Sequence, residues 1–272
     1  MKTVAVLLTC HNRKEKTLKC LENLYTQNLP SDIELSVFLT DDGCTDGTAE
    51  AVASRFPQVH IIKGDGTLFW NRGMRKAWEE AAKTPSDFYL WLNDDTHLLP
   101  NAIRILLETS EKKNNESPIT GTTLESETSP KINYGGRKLP DFEQVIPPDA
   151  NNAIECDMFN GNIVLIPNSV FQKVGFNDNY YRHSFGDFDY GNMARKQNIK
   201  SYIAPGISGY CCSNNPVPIF HRKQYSIIER FKILYSPLGM NPIEDFHYQH
   251  KFHNLFYTVC HVIKLHLNIF LR

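Results

Sequence analysis

No stretch of this sequence approaches the ~20 consecutive apolar residues that a membrane-spanning helix needs, so no spanning segment is expected. Neither sign of charge is in excess. Lys and Arg number 29 against 30 Asp and Glu, leaving a formal net charge of -1, and a nucleic-acid groove is not expected. Seven cysteines are present, but without a CxxC or any paired spacing. An odd count with no framework points to a reducing compartment, with the cytosol the simplest assignment. The apolar run ending at Leu8 is too short for a secretory leader and reads as a first strand. That run leads into Thr9, Cys10, His11, Asn12 and Arg13 without a glycine, so no GxGxxG opens the first helix and a dehydrogenase is disfavoured. The chain also has no internal repeat. What remains, 272 residues with 41% hydrophobic content, is enough to bury a large core.

The most informative stretch is Leu90, Trp91, Leu92, Asn93, Asp94 and Asp95. A continuous apolar run from Phe88 reads as a strand buried on both faces, and it ends abruptly in two carboxylates. Open α/β sheets bind ligands just outside the carboxyl ends of their strands. Paired acids there suit a hard divalent ion, Mg²⁺ or Mn²⁺, that takes carboxylate oxygens together with substrate phosphates. The plainer alternative is that the pair only ends the strand and caps the next helix.

Around this stretch the pattern alternates. Strands are expected at 4–9, 33–40, 59–62 and 88–95, and helices at 14–27, up to 55, 70–82 and 100–112. Such βα alternation predicts a mostly parallel sheet wrapped by helices. Asp41 and Asp42 close the second strand as a second acid pair. Gly43 follows for a tight turn, and Thr45 or Asp46 is a candidate cap for the next helix. From 111 to 130 the sequence turns polar, with a candidate short strand over 118–123, and from 131 to 148 it holds Gly135, Gly136 and several prolines and reads as hairpins or long loops. Order returns at Cys156 to Pro167, and a helix is expected to reach Gln197. The organisation expected is one catalytic domain over 1–215, with halves at about 1–112 and 113–215, then a helical extension over 216–272. In that extension Phe252, Leu255, Phe256, Val259, Val262 and Ile263 fall at helical spacing. The readings are a helix packed on the domain or an interfacial helix touching a membrane. His221, after the irregular stretch at 214–216, is either a metal-reaching or a solvated histidine.

Taken together, Thr9 to Arg13, the run Asp41, Asp42, Gly43, Cys44, Thr45, Asp46, the Asn93, Asp94, Asp95 motif, and Gly186 with Asp187 resemble the family 2 glycosyltransferases. The resemblance covers roughly residues 4–203. It implies a GT-A fold, a Rossmann-like mixed α/β sheet flanked by helices, here with a C-terminal helical tail. It also implies inverting transfer from a nucleotide-diphosphate sugar to a hydroxyl. Thr9, His11, Asn12, Arg13, Asp42, Gly64, Asp65, Gly66, Asn71 and Asp94 would face the nucleotide and donor. Asp95 would hold Mg²⁺ or Mn²⁺, and Asp187 would be the acceptor-activating base. Trp70, Gly161, Asn162 and Asp189 would lie near the donor sugar and acceptor. Three positions depart from the family pattern: Gly186 stands where Glu is usual, His11 where Tyr is usual, and Cys44 where Ser is usual. The segments at 64–66 and 187–195 look most like rhamnosyltransferase-type members, implying a UDP- or dTDP-sugar. The implied acceptor is a surface glycan or lipid-linked glycan, handled at the cytoplasmic side. The rival classes are a nucleotidyltransferase that makes sugar nucleotides and an inactive nucleotide-sugar-binding module.

Overall fold

The computed structural model describes residues 1–139, 144–212 and 225–270. The first half alternates strictly: β1 (Lys2–Cys10), α1 (Lys14–Tyr25), β2 (Ile33–Asp41), α2 (Thr48–Arg55), β3 (His60–Lys63), α3 (Phe69–Ala81), β4 (Phe88–Leu92). After β5 (Thr96–Leu98) and α4 (Ala102–Lys112) come short strands: β6 (Ile119–Thr120), β7 (Thr123–Ser126), β8 (Ser129–Tyr134), β9 (Gly136–Arg137), β10 (Ile154–Cys156), β11 (Met158–Phe159) and β12 (Ile163–Pro167). The chain continues through α5 (Asn168–Val174), α6 (Gly186–Lys196), β13 (Ser201–Ile203) and β14 (Gly209–Cys211). It closes with α7 (Ile227–Leu234), α8 (Pro242–Phe252) and α9 (Leu255–Leu267).

Eight strands form one sheet in the order β10-β13-β6-β12-β4-β1-β2-β3. The β3-β2-β1-β4 portion is parallel, as βα alternation requires. Beyond β4 the sheet becomes mixed, because β12 pairs antiparallel with β4 from Ile163 opposite Leu92 to Pro167 opposite Phe88. The chain passes from β1 outward to β2 and β3 and then returns to β4. The strand order therefore reverses between β1 and β4, which is where such sheets open a crevice at their carboxyl ends. A smaller sheet, β5-β14-β7-β8, stands beside that crevice.

Strand period two sorts the core into two layers. Val4, Val6 and Leu8 of β1 and Phe88, Leu90 and Leu92 of β4 pack with Leu18, Leu21 and Leu24 of α1 and with α4. Ala5 and Leu7, with Tyr89 and Trp91, face the other way, onto Met74, Ala77 and Trp78 of α3 and Tyr190 of α6. Both layers are fully buried at β4, so its carboxyl end is held from both sides.

The single helix suggested across 252–263 is two helices. His253 is extended, and the Asn254 side chain accepts from the Tyr257 N–H at 2.9 Å to start α9. The apolar residues at helical spacing in α9 face largely outward: Leu255, Phe256, Val259 and Ile263 are exposed. No helix among the described residues is long and apolar enough to cross a membrane. His221 lies outside the described residues.

Candidate active site

A cleft of about 500 Å³ opens at the β1/β4 reversal. That is room for a nucleotide-sized ligand. One wall is the turn after β4. Asn93, Asp94 and Asp95 reach it because β4 stops at Leu92, where the Asn93 N–H donates to the Asn162 carbonyl at 3.0 Å. Asp94 is 4% exposed and accepts from Thr17 Oγ1 at 3.2 Å. Burial pushes its carboxyl up to about 7, with the Arg13 guanidinium opposing and the Asp95 charge adding to the rise. Arg13 Nη1 bridges the pair, 3.3 Å from Asp94 Oδ1 and 3.0 Å from Asp95 Oδ2. Behind Asp95, Asn162 Nδ2 donates to Cys211 Sγ at 3.5 Å, and that thiol lies 3.5 Å from Asp95 Oδ1. The thiol is pushed up to about 12 by burial and the Asp95 charge, so it stays protonated and can donate.

The second wall is built from loops. Asp42, 3% exposed, does not present a free carboxylate. Oδ1 accepts from the Gly66 N–H at 2.8 Å and the Leu68 N–H at 3.3 Å, and Oδ2 accepts from the Phe69 N–H at 2.9 Å. It therefore organises the 66–69 loop from within the cleft wall. His11 Nδ1 lies 2.6 Å from the Asp42 carbonyl. Phe69 adopts φ 56° and Phe185 φ 71°. A left-handed backbone is strained for an aromatic residue, and such strain gathers at functional sites. Both rings line the cleft. Trp70 joins the walls, since its Nε1 donates to Asn93 Oδ1 at 2.7 Å.

The first turn of α6 lines the same cleft as Asp95. Asp187 Oδ2 accepts from the Gly161 N–H and Oδ1 from the Phe188 N–H, each at 2.9 Å. Burial raises its pKa, and these two N–H groups oppose the rise. Gly161 allows the approach: a Cβ there would sit 2.3 Å from Trp70 Cζ2. The departure at Gly186 also has a steric cause, because a Cβ there would lie 1.9 Å from Asn71 Oδ1. No glutamate fits at that position in this packing.

The structure thus brings Thr9, His11, Arg13, Asp42, Gly66, Trp70, Asp94, Asp95, Gly161, Asn162 and Asp187 to one cleft. Other expected residues lie elsewhere, each for a visible reason. Asp189, two residues past Asp187, points to the opposite side of α6. It is 2% exposed and bonds Tyr181 Oη at 3.0 Å and Lys251 Nζ at 2.8 Å, so it anchors α8 and not an acceptor. Asn71 is buried and donates to the carbonyls of Asp178 and Tyr181, fixing the segment before α6. Asn12 Oδ1 accepts from the Thr45 N–H at 2.7 Å. Asp65 is exposed and closes its own turn onto Thr67. Gly64 packs against Asp42, 2.8 Å from its Cα by an added Cβ. The helix α2 is capped by Gly47, not by Thr45 or Asp46, although Asp46 accepts from the Thr48 N–H.

Sequence reading missed His183, Phe69, Phe185, Phe188 and Cys211, which line the cleft. Only Phe185 and Phe188, flanking the Gly186 and Asp187 motif, carried a signal. Burial lowers His183 to about 4, with the Arg13 charge adding to the fall, so the ring is neutral at pH 7.

The donor set at Asp94 and Asp95 fits a hard divalent cation: carboxylate oxygens at a rigid strand end, already bridged by a guanidinium cation, with the Asp95 charge adding to the raised proton affinity of Asp94. A second group, Cys10, Asp41 and Cys44, has its ligand atoms within 4.8 Å of one another, the two sulfurs 3.8 Å apart. Its thiols suit softer metals than Mg²⁺ or Mn²⁺, so the oxygen pair is the better fit for those ions.

The fold has solved counterparts. A mannosyltransferase, PcManGT from Pyrobaculum calidifontis in complex with GDP-Man and Mn2+, matches at TM-score 0.54 and 16% identity, over 78% of this chain and 57% of that one. TarS of S. aureus matches at 0.55 and 12% identity, over 93% of this chain and 44% of that one. TarS 1-349 in complex with UDP matches at 0.56 and 11% identity, over 89% of this chain and 66% of that one. The chain thus spans between 44% and 66% of the length of these proteins. At these identities the likeness establishes the GT-A fold. Comparison with curated protein sequences gave no significant match. The family model for glycosyl transferase family 2 matches residues 5–164, which take in β1 to β12 up to Val164 and both acid-bearing strand ends, and the chain belongs to that family.

Proposed function

We propose that this protein transfers a sugar from a nucleotide-diphosphate donor, a UDP- or dTDP-sugar, to a hydroxyl of a glycan or lipid-linked acceptor. The anomeric carbon is inverted, and the reaction serves surface polysaccharide assembly at the cytoplasmic side. The observation that carries this reading is that Asp95 and Asp187 line one cleft at the β1/β4 reversal. The GDP-Man and Mn2+ bound in one solved counterpart and the UDP bound in another support a nucleotide-diphosphate donor and a divalent ion.

Asp95, backed by Asp94, would hold Mg²⁺ or Mn²⁺, which when bound offsets charge on the departing diphosphate as a Lewis acid. The chain's own groups do the rest. Arg13 can exchange the two carboxylates for the diphosphate, whose oxygens match its fork of donors. The His11 and Asp42 loops form the donor side, and Trp70, Phe69 and Phe185 keep water from the reacting carbon. The acceptor oxygen bonds to the anomeric carbon as the bond from that carbon to the diphosphate oxygen breaks. The hydroxyl proton passes to Asp187, whose orientation the N–H groups of Gly161 and Phe188 fix. Its raised pKa makes it a better base than an exposed aspartate. The nucleoside diphosphate leaves from the opposite face, by analogy with single-displacement glycoside chemistry.

A panel of nucleotide sugars, assayed for released nucleotide with and without Mn²⁺ and with candidate acceptors, tests this directly. Ion-dependent release from one donor, with a glycosylated product of inverted configuration, is expected. Formation of a sugar nucleotide from a sugar phosphate, or binding with no turnover of any donor, would overturn it.

A further inference from the structure

The helices α7 and α9 pack on each other through Leu234, Leu265 and Ile269, yet each also has an apolar side turned to solvent. On α9 and just beyond it, Phe256, Val259, Ile263, Leu267 and Phe270 follow one another at intervals of three, four, four and three, and all five are exposed. That spacing places them in one stripe, about 20 Å long at 1.5 Å per residue. Phe256 is 81% exposed, and Ile228 of α7 is 71% exposed. The Phe231 and Phe270 rings, 5.8 Å apart, join the two helices at that end. A stripe of this size is not the scatter of single apolar residues normal on a protein surface.

We infer that this face docks on a lipid bilayer carrying anionic headgroups. Charge argues for that occupant. The acids Glu244 and Asp245 of α8 are buried against Arg182 and His261, and α9 contains no acid. The exposed acid of α7 is Glu229, spent in the capping box with Ser226, while Lys232 and Lys264 are exposed. An apolar stripe fringed by lysines is the pattern of a helix lying in the interface plane. A second copy of the chain is a poorer partner, since it would bring a face bearing the same exposed lysines against this one. Position argues the same way. Leu238, 57% exposed in the link between α7 and α8, also lines the cleft, so the segment joining these helices reaches the cleft. Docking there would present the cleft to a hydroxyl carried on a membrane-anchored acceptor. This last consequence rests on the proposed transfer, whereas the docking itself does not.

The test is sedimentation of the full chain with vesicles of equal parts phosphatidylglycerol and phosphatidylcholine, against pure phosphatidylcholine vesicles. Binding to the anionic vesicles is expected. Phe256→Glu should weaken it about tenfold or more, and Lys232→Gln and Lys264→Gln about fivefold each. Nucleotide binding in solution, measured on the same variants, should be unchanged and shows that each is folded. A wild-type chain that ignores both vesicle types would overturn the inference. So would a dimer in solution that Phe256→Glu converts to monomer. If vesicles are bound but no nucleotide sugar turns over, the docking stands and the proposed activity fails.

Discussion

The parallel half of the sheet and the C-terminal helices are written in the same apolar periodicity and use it for opposite ends. In α1, Leu18, Leu21 and Leu24 are fully or almost fully buried in the layer they share with β1 and with Val37 and Leu39 of β2. In α9, residues at the same spacing face solvent. Periodicity specifies that a helix has an apolar side but not what that side meets. In the first case strands on either side in sequence supply the partner within one βαβ unit. In the second, the partner has to come from elsewhere. The α8 helix between them is fixed to the catalytic half by polar contacts instead: Lys251 bonds Asp178 and Asp189, and Arg182 bonds Glu244.

The sharpest test of this division is the pair of aspartates on α6, one turned to each region. Asp187→Asn keeps the shape but cannot take a proton, so kcat should fall ~10²–10⁴-fold with nucleotide affinity retained. Asp189→Asn faces α8 and should leave kcat within a few-fold while lowering the denaturation midpoint, because Lys251 loses a buried charged partner. Steady-state kinetics with denaturant unfolding on both variants distinguish the roles, and an inactive Asp189→Asn with a near-normal Asp187→Asn would reverse them.

Next in size is the loss at the sheet end. Asp95→Ala should lower Mn²⁺ affinity by at least the ~10–100-fold that even supporting contacts of a metal ligand cost. Calorimetry of Mn²⁺ with nucleotide diphosphate measures it. Affinity that is insensitive both to this change and to EDTA would require a metal-independent mechanism.

A smaller effect is expected where α3 and α6 meet sterically. Gly186→Ala places a Cβ against Asn71 Oδ1 and should destabilise by about 1–3 kcal/mol, as overpacking does. Chemical denaturation checks it, and an unchanged midpoint would mean that the Asn71 contacts yield without cost.

The smallest effects are in pH. Asp187 must be deprotonated to act, and its pKa is raised, so activity should fall with decreasing pH at values above the ordinary aspartate ~3.9. His183 is depressed to about 4, so the folded state resists the proton that the unfolded chain accepts near ~6.5. Its effect on stability is absent above that value and grows as pH falls from about 6.5 to about 4. Unfolding curves of wild type and His183→Gln across that window should converge at neutral pH and separate below it.

Much of the catalytic half was legible because its information is local. The apolar run of β4 ending in Asp94 and Asp95, the acid pair after β2 and the alternating helices depend on neighbours within a few residues, and strand ends in such sheets face the crevice by construction. The helical repeat puts Asp187 and Asp189 on different faces of α6, but only the structure placed Asp187 in the cleft and turned Asp189 to Lys251. What only the tertiary structure decided are relations across long separations. Asn71 was spent on carbonyls 107 and 110 residues away, which removed it from the cleft and forced a glycine at 186. Cys211 came to stand behind Asp95, 116 residues earlier, and Asp42 turned inward to hold the 66–69 loop. The C-terminal stripe shows the limit most plainly: spacing alone determined that Phe256, Val259 and Ile263 share a face, and only the packing of α7, α8 and α9 decided that this face is left open, because burial depends on what else reaches the same place.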